Sequence, residues 1–237
     1  MSAYSSHAFA EKVALITDGA NDIGRAVAMQ LALQGAYVIV GFSGASEENS
    51  RALRELQSLG TLANSVEADV STVEGAKKLV GEVEKMFGRL DLLINTLKFS
   101  PQSSFQEISE DIWTKTVDVN LKSVFFVTQA AINLMQARPK PAIVNVAADE
   151  TDGENAAFTA MQSAVIGLTK SLAKQFAPKF RINCVAVGKS RNSSPEILDA
   201  ELFRPKTGID YDDAARVIVY LLSSEAKSLT GQILKIG

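Results

Sequence analysis

Residues 149–154 hold four carboxylates close together: Asp149, Glu150, Asp152 and Glu154. Like charges at short range disfavour ionisation, so one carboxyl group of such a set can have a raised pKa and act as a general acid or base. An acidic run is more often a solvated surface loop, and we favour that interpretation. A cofactor-free lyase or hydrolase that uses these carboxylates is an alternative function for the chain.

Other residue types that carry nucleophilic or metal-binding chemistry are scarce. The chain has one histidine, His7, and one cysteine, Cys184. A histidine-based metal site or a Ser–His–Asp triad would depend on His7 alone, so we predict neither. Cys184 lies in a strand-like pattern and is predicted to be a small core residue. Since it has no second thiol with which to form an internal disulfide, it fits a reducing compartment.

Composition narrows the possible partners. The net charge is −3, with 46% hydrophobic and 22% charged residues, as in ordinary globular proteins. The absence of a basic excess argues against nucleic-acid binding. No apolar run approaches the roughly 18 residues of a membrane span, and the start of the chain does not resemble a secretory signal. We therefore expect a cytoplasmic protein that binds neither membranes nor nucleic acids.

Short β-branched runs alternate with longer helical patterns along the whole chain. Most of the runs are apolar at consecutive positions, which is typical of strands that are covered on both faces. The predicted strands are Val13–Thr17, Tyr37–Phe42, Leu62–Ala68, Asp91–Asn95, Ala142–Ala147, Arg181–Ala186 and Gln232–Ile236. The predicted helices are Ile23–Gln34, Glu47–Leu59, Val73–Phe87, Glu110–Ala137, Asn155–Phe176 and Tyr211–Ser223.

This alternation predicts one α/β domain over residues 1–237. Six strand–helix repeats favour a doubly wound (Rossmann) fold with a seven-stranded parallel sheet and helices on both faces. The least patterned stretch, Gly188 to Ile209, is a candidate lid over a site, because long loops in compact domains often have that role.

In such a fold the first strand–helix turn is where a dinucleotide diphosphate binds. Here the turn reads Thr17-Asp18-Gly19-Ala20-Asn21-Asp22-Ile23-Gly24. From this turn onwards the chain resembles the short-chain dehydrogenase/reductase family, in particular its 3-oxoacyl-carrier-protein reductases. The other matching segments are Asp69-Val70, Asp118-Val119-Asn120-Leu121, Ile143-Val144-Asn145-Val146, Gly167-Leu168-Thr169-Lys170-Ser171-Leu172-Ala173 and Thr230-Gly231-Gln232. The residues at the family's cofactor-binding positions are Gly19, Ile23, Gly24, Asp69, Val70 and Asn95.

Two aspartates interrupt the glycine turn. The family motif is T-G-x-x-x-G-x-G, and Asp18 and Asp22 stand at its first two glycines, while Gly24 is retained. At the second glycine a Cβ atom intrudes on the diphosphate. Each carboxylate about 5 Å from a phosphate costs on the order of 3 kcal/mol at an effective dielectric near 20. Alternatively, Asp22 turns outward and caps a helix that starts at Ile23, which would not restore the phosphate contact.

Two further segments depart from the family pattern. The end of the second predicted strand, Gly41-Phe42-Ser43-Gly44, has neither an acid for a ribose 2′-hydroxyl nor an adjacent arginine for a 2′-phosphate. The missing acid favours NADP(H) over NAD(H) if either binds. Where the family has N-N-A-G, this chain has Asn95-Thr96-Leu97-Lys98, and we expect Leu97 and Lys98 to fill the space of the cofactor ribose. For Lys98 a solvated loop position is favoured over an active-site role. We therefore expect no cofactor.

The resemblance also implies where proton-transfer residues should stand. The family uses a tyrosine as proton donor, a lysine four residues later, a serine that orients the carbonyl, and an asparagine. These positions fall on Phe158, Gln162, Ala148 (or Ala147) and Asn120. Phe158 has no titratable proton and Gln162 has no charge with which to lower a neighbour's pKa. Only Asn120 keeps the family's residue type, and we favour a structural role for it, in which it bonds buried backbone.

The sequence therefore predicts a non-catalytic member of this family, a pseudoenzyme that serves as a binding or partner subunit. An NADP(H)-dependent carbonyl oxidoreductase with an altered site is the main alternative. The family commonly forms dimers and tetramers through two long helices, and both predicted helices, Glu110–Ala137 and Asn155–Phe176, have dense apolar faces. We expect a homo-oligomer (dimer or tetramer) or a hetero-oligomer with an active relative.

Overall fold

A computed structural model of the protein describes residues 8–149, 155–188 and 210–237. Its strands are β1 (Val13–Ile16), β2 (Tyr37–Phe42), β3 (Ala63–Glu67), β4 (Leu92–Asn95), β5 (Ala142–Ala148), β6 (Arg181–Val187) and β7 (Ile233–Ile236). They form one parallel sheet in the order β3-β2-β1-β4-β5-β6-β7. The predicted sheet is confirmed. Since the strand order reverses between β1 and β4, the crevice at their carboxyl ends is the switch point at which such sheets bind ligands.

The helices follow the predicted positions with one exception. They are α1 (Asp22–Leu33), α2 (Glu47–Ser58), α3 (Val73–Phe87), α4 (Glu110–Val117), α5 (Ser123–Gln136), α6 (Ala156–Phe176) and α7 (Tyr211–Leu222). The prediction of one helix over Glu110–Ala137 is wrong, because a π-helical turn, Asp118–Lys122, separates α4 from α5. The amide nitrogen of Asn120 donates to the carbonyl of Thr116 at this break, 2.8 Å away.

The sheet is covered on both faces, as its apolar strands predict. Alternate residues of β1 enter two separate core clusters: Ala14 and Ile16 pack on the side of α1 and α7, and Val13 and Leu15 on the side of α3 and α5. This is why β1 is apolar at four consecutive positions. Within the described ranges, no helix is both long and apolar enough to cross a bilayer.

Much of the apolar surface predicted for assembly is used inside the fold. Val124 and Thr128 on α5, and Met161 and Val165 on α6, are buried in the chain's own core. This part of the two apolar faces therefore covers the chain's own sheet, and association through the rest of the helices stays a prediction. Two large side chains on α4 and α5 stay exposed, Trp113 at 45% and Phe125 at 43%.

A buried carboxylate, Asp91, connects the start of β4 to the start of β1. Asp91, 1% exposed, precedes β4 and accepts hydrogen bonds from the backbone nitrogen of Val13 at 3.0 Å and from Arg89 and Arg138. The ammonium group of Lys12 lies 3.6 Å away. Burial by itself raises the pKa of Asp91, but the hydrogen bonds from Arg89, Val13 and Arg138 outweigh it and lower the pKa overall.

A half-buried arginine anchors the last long helix. Arg181, the first residue of β6, donates to backbone carbonyls at the end of α7 and just after it: Leu221, Leu222, Ser223 and Ala226. The last carbonyls of a helix have no partner inside the helix, so a cation placed there supplies donors and complements the helix dipole. Burial lowers the pKa of Arg181.

Candidate functional site

The turn between β1 and α1 is closed by its own side chains. Oδ1 of Asp18 accepts from the backbone nitrogens of Ala20, at 3.2 Å, and Asn21, at 3.4 Å. Asn21 is the N-cap of α1, and its Oδ1 accepts from the nitrogen of Gly24 at 2.7 Å. The alternative that Asp22 caps α1 is therefore wrong, because Asp22 is the first residue of the helix. The backbone of Asn21 is extended, and the Asn21 side chain is the cap.

Threonine and asparagine side chains fix this turn to the end of β4. The hydroxyl of Thr96 donates to the carbonyl of Asp18 at 2.9 Å, and the amide of Asn21 donates to the carbonyls of Asp18 and Thr96, both at 3.2 Å. The backbone nitrogen of Thr96 donates to Oγ1 of Thr17 at 3.0 Å. Sequence reasoning missed this set of contacts, although an asparagine three residues before Gly24 is a recognisable capping signal.

The retained glycines are explained by packing alone. A Cβ atom on Gly24 would lie 1.8 Å from the carbonyl oxygen of Asp18, and one on Gly19 would lie 2.4 Å from the Val40 side chain. Both positions therefore require glycine for the close approach of α1 and the turn to the sheet. Asp22, at the glycine that would let backbone approach a diphosphate, is exposed. Ile23 is half-buried and packs against the core.

A cavity of about 470 Å³ opens beside the turn. It is lined by Asp18, Ala20, Asn21, Ser43, Gly44, Ala45, Ser46, Glu48 and Asn49. The charged groups of this lining are two carboxylates, Asp18 and Glu48. The cavity has room for part of a nucleotide, but these carboxylates and the occupied turn amides do not suit the phosphates of a nicotinamide dinucleotide.

Other predicted cofactor residues serve local structure. Oδ1 of Asp69 accepts from the backbone nitrogen and the hydroxyl of Ser71, at 3.1 and 2.6 Å, and Val70 is buried in the core. Asn95 is buried, and its amide donates to Oδ1 of Asn145 at 2.8 Å and to Oγ1 of Thr128 at 3.2 Å. These contacts link β4 to β5 and α5. The oxygen of Asn95 is buried without a partner among the described residues.

Three of the four positions that the resemblance assigns to proton transfer, Ala148, Gln162 and Asn120, form a connected hydrogen-bond network. Oε1 of Gln162 accepts from the backbone nitrogen of Ala148 at 2.9 Å, and its Nε2 donates to Oδ1 of Asn120 at 3.1 Å. Asn120 also bonds both backbone groups of Phe99 and the carbonyl of Thr116. Gln162 is 4% exposed and Asn120 is 1% exposed. The oxygen and nitrogen of both side-chain amides therefore have partners inside the protein, and neither amide titrates near neutral pH.

Phe158, in the first turn of α6, lies under a lysine from the loop after β4. The ammonium group of Lys98 stands 5.3 Å from the centroid of the Phe158 ring. Lys98 is an exposed loop residue, as predicted, and its ammonium group also makes this cation–π contact. Leu97 is half-buried and packs against the core on the side of α3 and α5.

The acidic run is only partly described. Asp149 forms an ion pair with Lys235 at 2.9 Å. Glu150, Asp152 and Glu154 lie outside the described residues, as does His7. Of the candidate lid, Gly188 to Ile209, only Gly188 is described. Cys184 is fully buried, and burial raises the pKa of its thiol to about 12, which makes it a poor nucleophile. Within the described ranges, no three His, Cys, Asp or Glu residues lie together where they could hold a metal ion.

A doubly wound parallel sheet with a strand–turn–helix at its switch point places the protein among the Rossmann-type α/β proteins. A family model described as short chain dehydrogenase matches residues 12–194. The chain belongs to the short-chain dehydrogenase/reductase family.

Named relatives resemble the chain over nearly its whole length. The 3-oxoacyl-acyl-carrier-protein reductase FabG of Staphylococcus aureus is 32% identical over 238 residues, which is 95% of this chain and 96% of the relative. Dehydrogenase/reductase SDR family member 4 of Homo sapiens is 30% identical over 96% of this chain and 87% of its own. A crystal structure of the actinorhodin polyketide ketoreductase with NADPH superposes with a TM-score of 0.85, at 26% identity over 95% of both chains.

Proposed function

We propose that this family member is non-catalytic and acts as a binding or partner subunit. The observation that carries the proposal is the network of Ala148, Gln162 and Asn120. Carbonyl reduction needs a group that gives a proton to the developing alkoxide. At the expected positions Phe158 has no ionisable proton, and the oxygen and nitrogen of each of the two buried amides are engaged with protein partners.

The nucleotide crevice supports the same proposal from a separate direction. Asp18 occupies the amides of Ala20 and Asn21, and Asp18 and Glu48 give the neighbouring cavity a negative lining. We therefore expect neither NADH nor NADPH to bind with a dissociation constant below about 1 mM, which corresponds to a free energy of about −4 kcal/mol.

We propose that the chain functions by associating with other subunits and not by catalysis. Members of this family are often oligomeric. Trp113 on α4 and Phe125 on α5 are large apolar side chains that are 45% and 43% exposed. Aromatic side chains are enriched among the residues that anchor protein interfaces. We propose that α4 and α5 contribute to a homo-oligomer, dimer or tetramer, or to a hetero-oligomer with an active relative.

A cofactor titration tests the central proposal. Purified full-length protein is titrated with NADPH and NADH, and binding is followed by nicotinamide fluorescence and calorimetry. The Staphylococcus aureus reductase, treated identically, is the positive control, with reduction of a β-ketoacyl thioester as the activity assay. We expect no saturable binding and no turnover by this chain. Micromolar binding would contradict the proposal.

The competing function is an NADP(H)-dependent carbonyl oxidoreductase with an altered site. It is favoured by the similar ketoreductase solved with NADPH and by the cavity of about 470 Å³ beside the β1–α1 turn. The same titration separates the two functions. Saturable NADPH binding together with ketone-dependent oxidation of NADPH would establish the oxidoreductase, whereas the non-catalytic subunit should show neither binding nor turnover.

A further inference from the structure

We propose that the carboxylate of Asp18 takes the place of a ligand phosphate on the β1–α1 turn, and that this internal anion is what excludes a dinucleotide. The inference deepens the proposed function, since it names the residue responsible for the absence of a cofactor. The family implies a nicotinamide dinucleotide, and the groups that this chain places at the β1–α1 turn do not fit its phosphates.

The hydrogen bonds of the turn show which donors the Asp18 carboxylate takes in place of a phosphate. Phosphates bind at such turns through backbone N–H groups at the start of the helix, with the helix dipole favouring negative charge. Here one carboxylate oxygen of Asp18 accepts from the nitrogens of Ala20 and Asn21, at 3.2 and 3.4 Å. The nitrogen of Gly24 donates to Oδ1 of Asn21 at 2.7 Å. Three donors of the turn are thus satisfied by side-chain oxygens of the turn itself.

The backbone of Asp18 is fixed on both sides of its side chain. Its nitrogen donates to Oγ1 of Thr96 at 3.3 Å, and its carbonyl accepts from the hydroxyl of Thr96 and the amide of Asn21. Moving the carboxylate away would break its two contacts with the amides of Ala20 and Asn21. The nitrogens of Ala20 and Asn21 are therefore already occupied, and a phosphate that used them would have to displace an anion that belongs to the chain.

Three substitutions distinguish the effect of the occupied amides on anion binding from the effect of negative charge. Asp18→Ala frees the nitrogens of Ala20 and Asn21 and removes one negative charge. Asp18→Asn removes the same charge but keeps an oxygen that can accept from both nitrogens. Asp22→Asn is the matched control, because it also removes one charge, four residues away, from an exposed carboxylate that accepts from none of these three amides.

The test uses the full-length protein with inorganic pyrophosphate and NADPH as probes. We expect Asp18→Ala to bind both probes about tenfold or more tightly than wild type, since two amide donors become available. Asp18→Asn and Asp22→Asn each remove one repulsive charge but leave the nitrogens of Ala20 and Asn21 occupied, so both should gain less affinity than Asp18→Ala. Without a probe, Asp18→Ala should melt about 2–4 °C below wild type, and pyrophosphate should reverse the loss, whereas it should leave the wild-type melting temperature unchanged.

The outcomes distinguish this inference from the proposed function. If Asp18→Ala, and Asp18→Gly as a second removal variant, bind no better than a non-binding wild type, only the role of Asp18 is overturned. The same holds if Asp22→Asn or Asp18→Asn gains as much affinity as Asp18→Ala, because charge and not occupancy would then govern exclusion. Micromolar NADPH binding by wild type would overturn the proposed function itself, whatever the variants do.

Discussion

Replacing Gln162 by lysine, the residue type that the family resemblance implies there, should destabilise the fold instead of restoring chemistry. The side chain is 4% exposed, and its oxygen accepts from the backbone nitrogen of Ala148. A lysine can still donate to Asn120, but it offers no acceptor, so the nitrogen of Ala148 loses its partner at a cost of about 1–3 kcal/mol. Burying an ammonium group adds to this. We expect a total loss of about 3–5 kcal/mol at pH 7, a large part of the roughly 5–15 kcal/mol typical of a domain.

Urea unfolding of purified variants measures this loss. Gln162→Met is the control, because it removes both hydrogen bonds without adding charge, and we expect it to cost about 1–3 kcal/mol. The excess loss in Gln162→Lys is the part caused by the charge. Since burial favours the neutral amine and lowers the pKa of a lysine, that excess should shrink as the pH rises from about 7 to about 10.

Two results would refute this reasoning. One is a Gln162→Lys variant whose free energy of unfolding lies within about 1 kcal/mol of wild type, which would mean that the network does not need an acceptor at this position. The other is a triple variant, Gln162→Lys with Ala148→Ser and Phe158→Tyr, that reduces a ketone with NADPH. We expect no such activity, because the restored acid would have no bound hydride donor beside it.

Further predictions concern stability and assembly. Asp91→Asn should lower the free energy of unfolding by about 2–4 kcal/mol at pH 7. Because the pKa of Asp91 in the folded protein is lowered from 3.8, its carboxylate stabilises the fold above that value. In urea titrations the difference between variant and wild type should vanish as the pH falls through the pKa of the folded state. Arg181→Met should lower the free energy of unfolding by about 2–4 kcal/mol, measured by thermal unfolding, because partly buried carbonyls at the end of α7 lose their donor. Arg216→Met, at an exposed ion pair, should be near neutral. Light scattering at micromolar concentration should show a dimer or tetramer, and Trp113→Arg with Phe125→Arg should shift it towards monomer; a monomeric wild type would contradict the proposed self-association.

Much of the fold is readable from the chain because parallel strands buried on both faces are apolar at consecutive positions, and helices between them end at glycine. The limits of β2 (Tyr37–Phe42) and α3 (Val73–Phe87) coincide with the predicted ones. The residue types at the site are equally direct: phenylalanine and alanine carry no side-chain proton that titrates, wherever they are placed. Chemistry that depends on residue identity can therefore be predicted from the sequence.

The tertiary structure alone decided how those residues are engaged. The sequence offered Asp22 as a possible helix cap, but Asn21 has this role, and its side chain also reaches the carbonyl of Thr96 just after β4. It gave no sign that Gln162 would join Ala148 to Asn120, residues that are 14 and 42 positions away along the chain. Local patterns record which faces are apolar. Hydrogen-bond partners between distant segments depend on how strands and helices pack, and on distances of a few ångströms that periodicity does not encode.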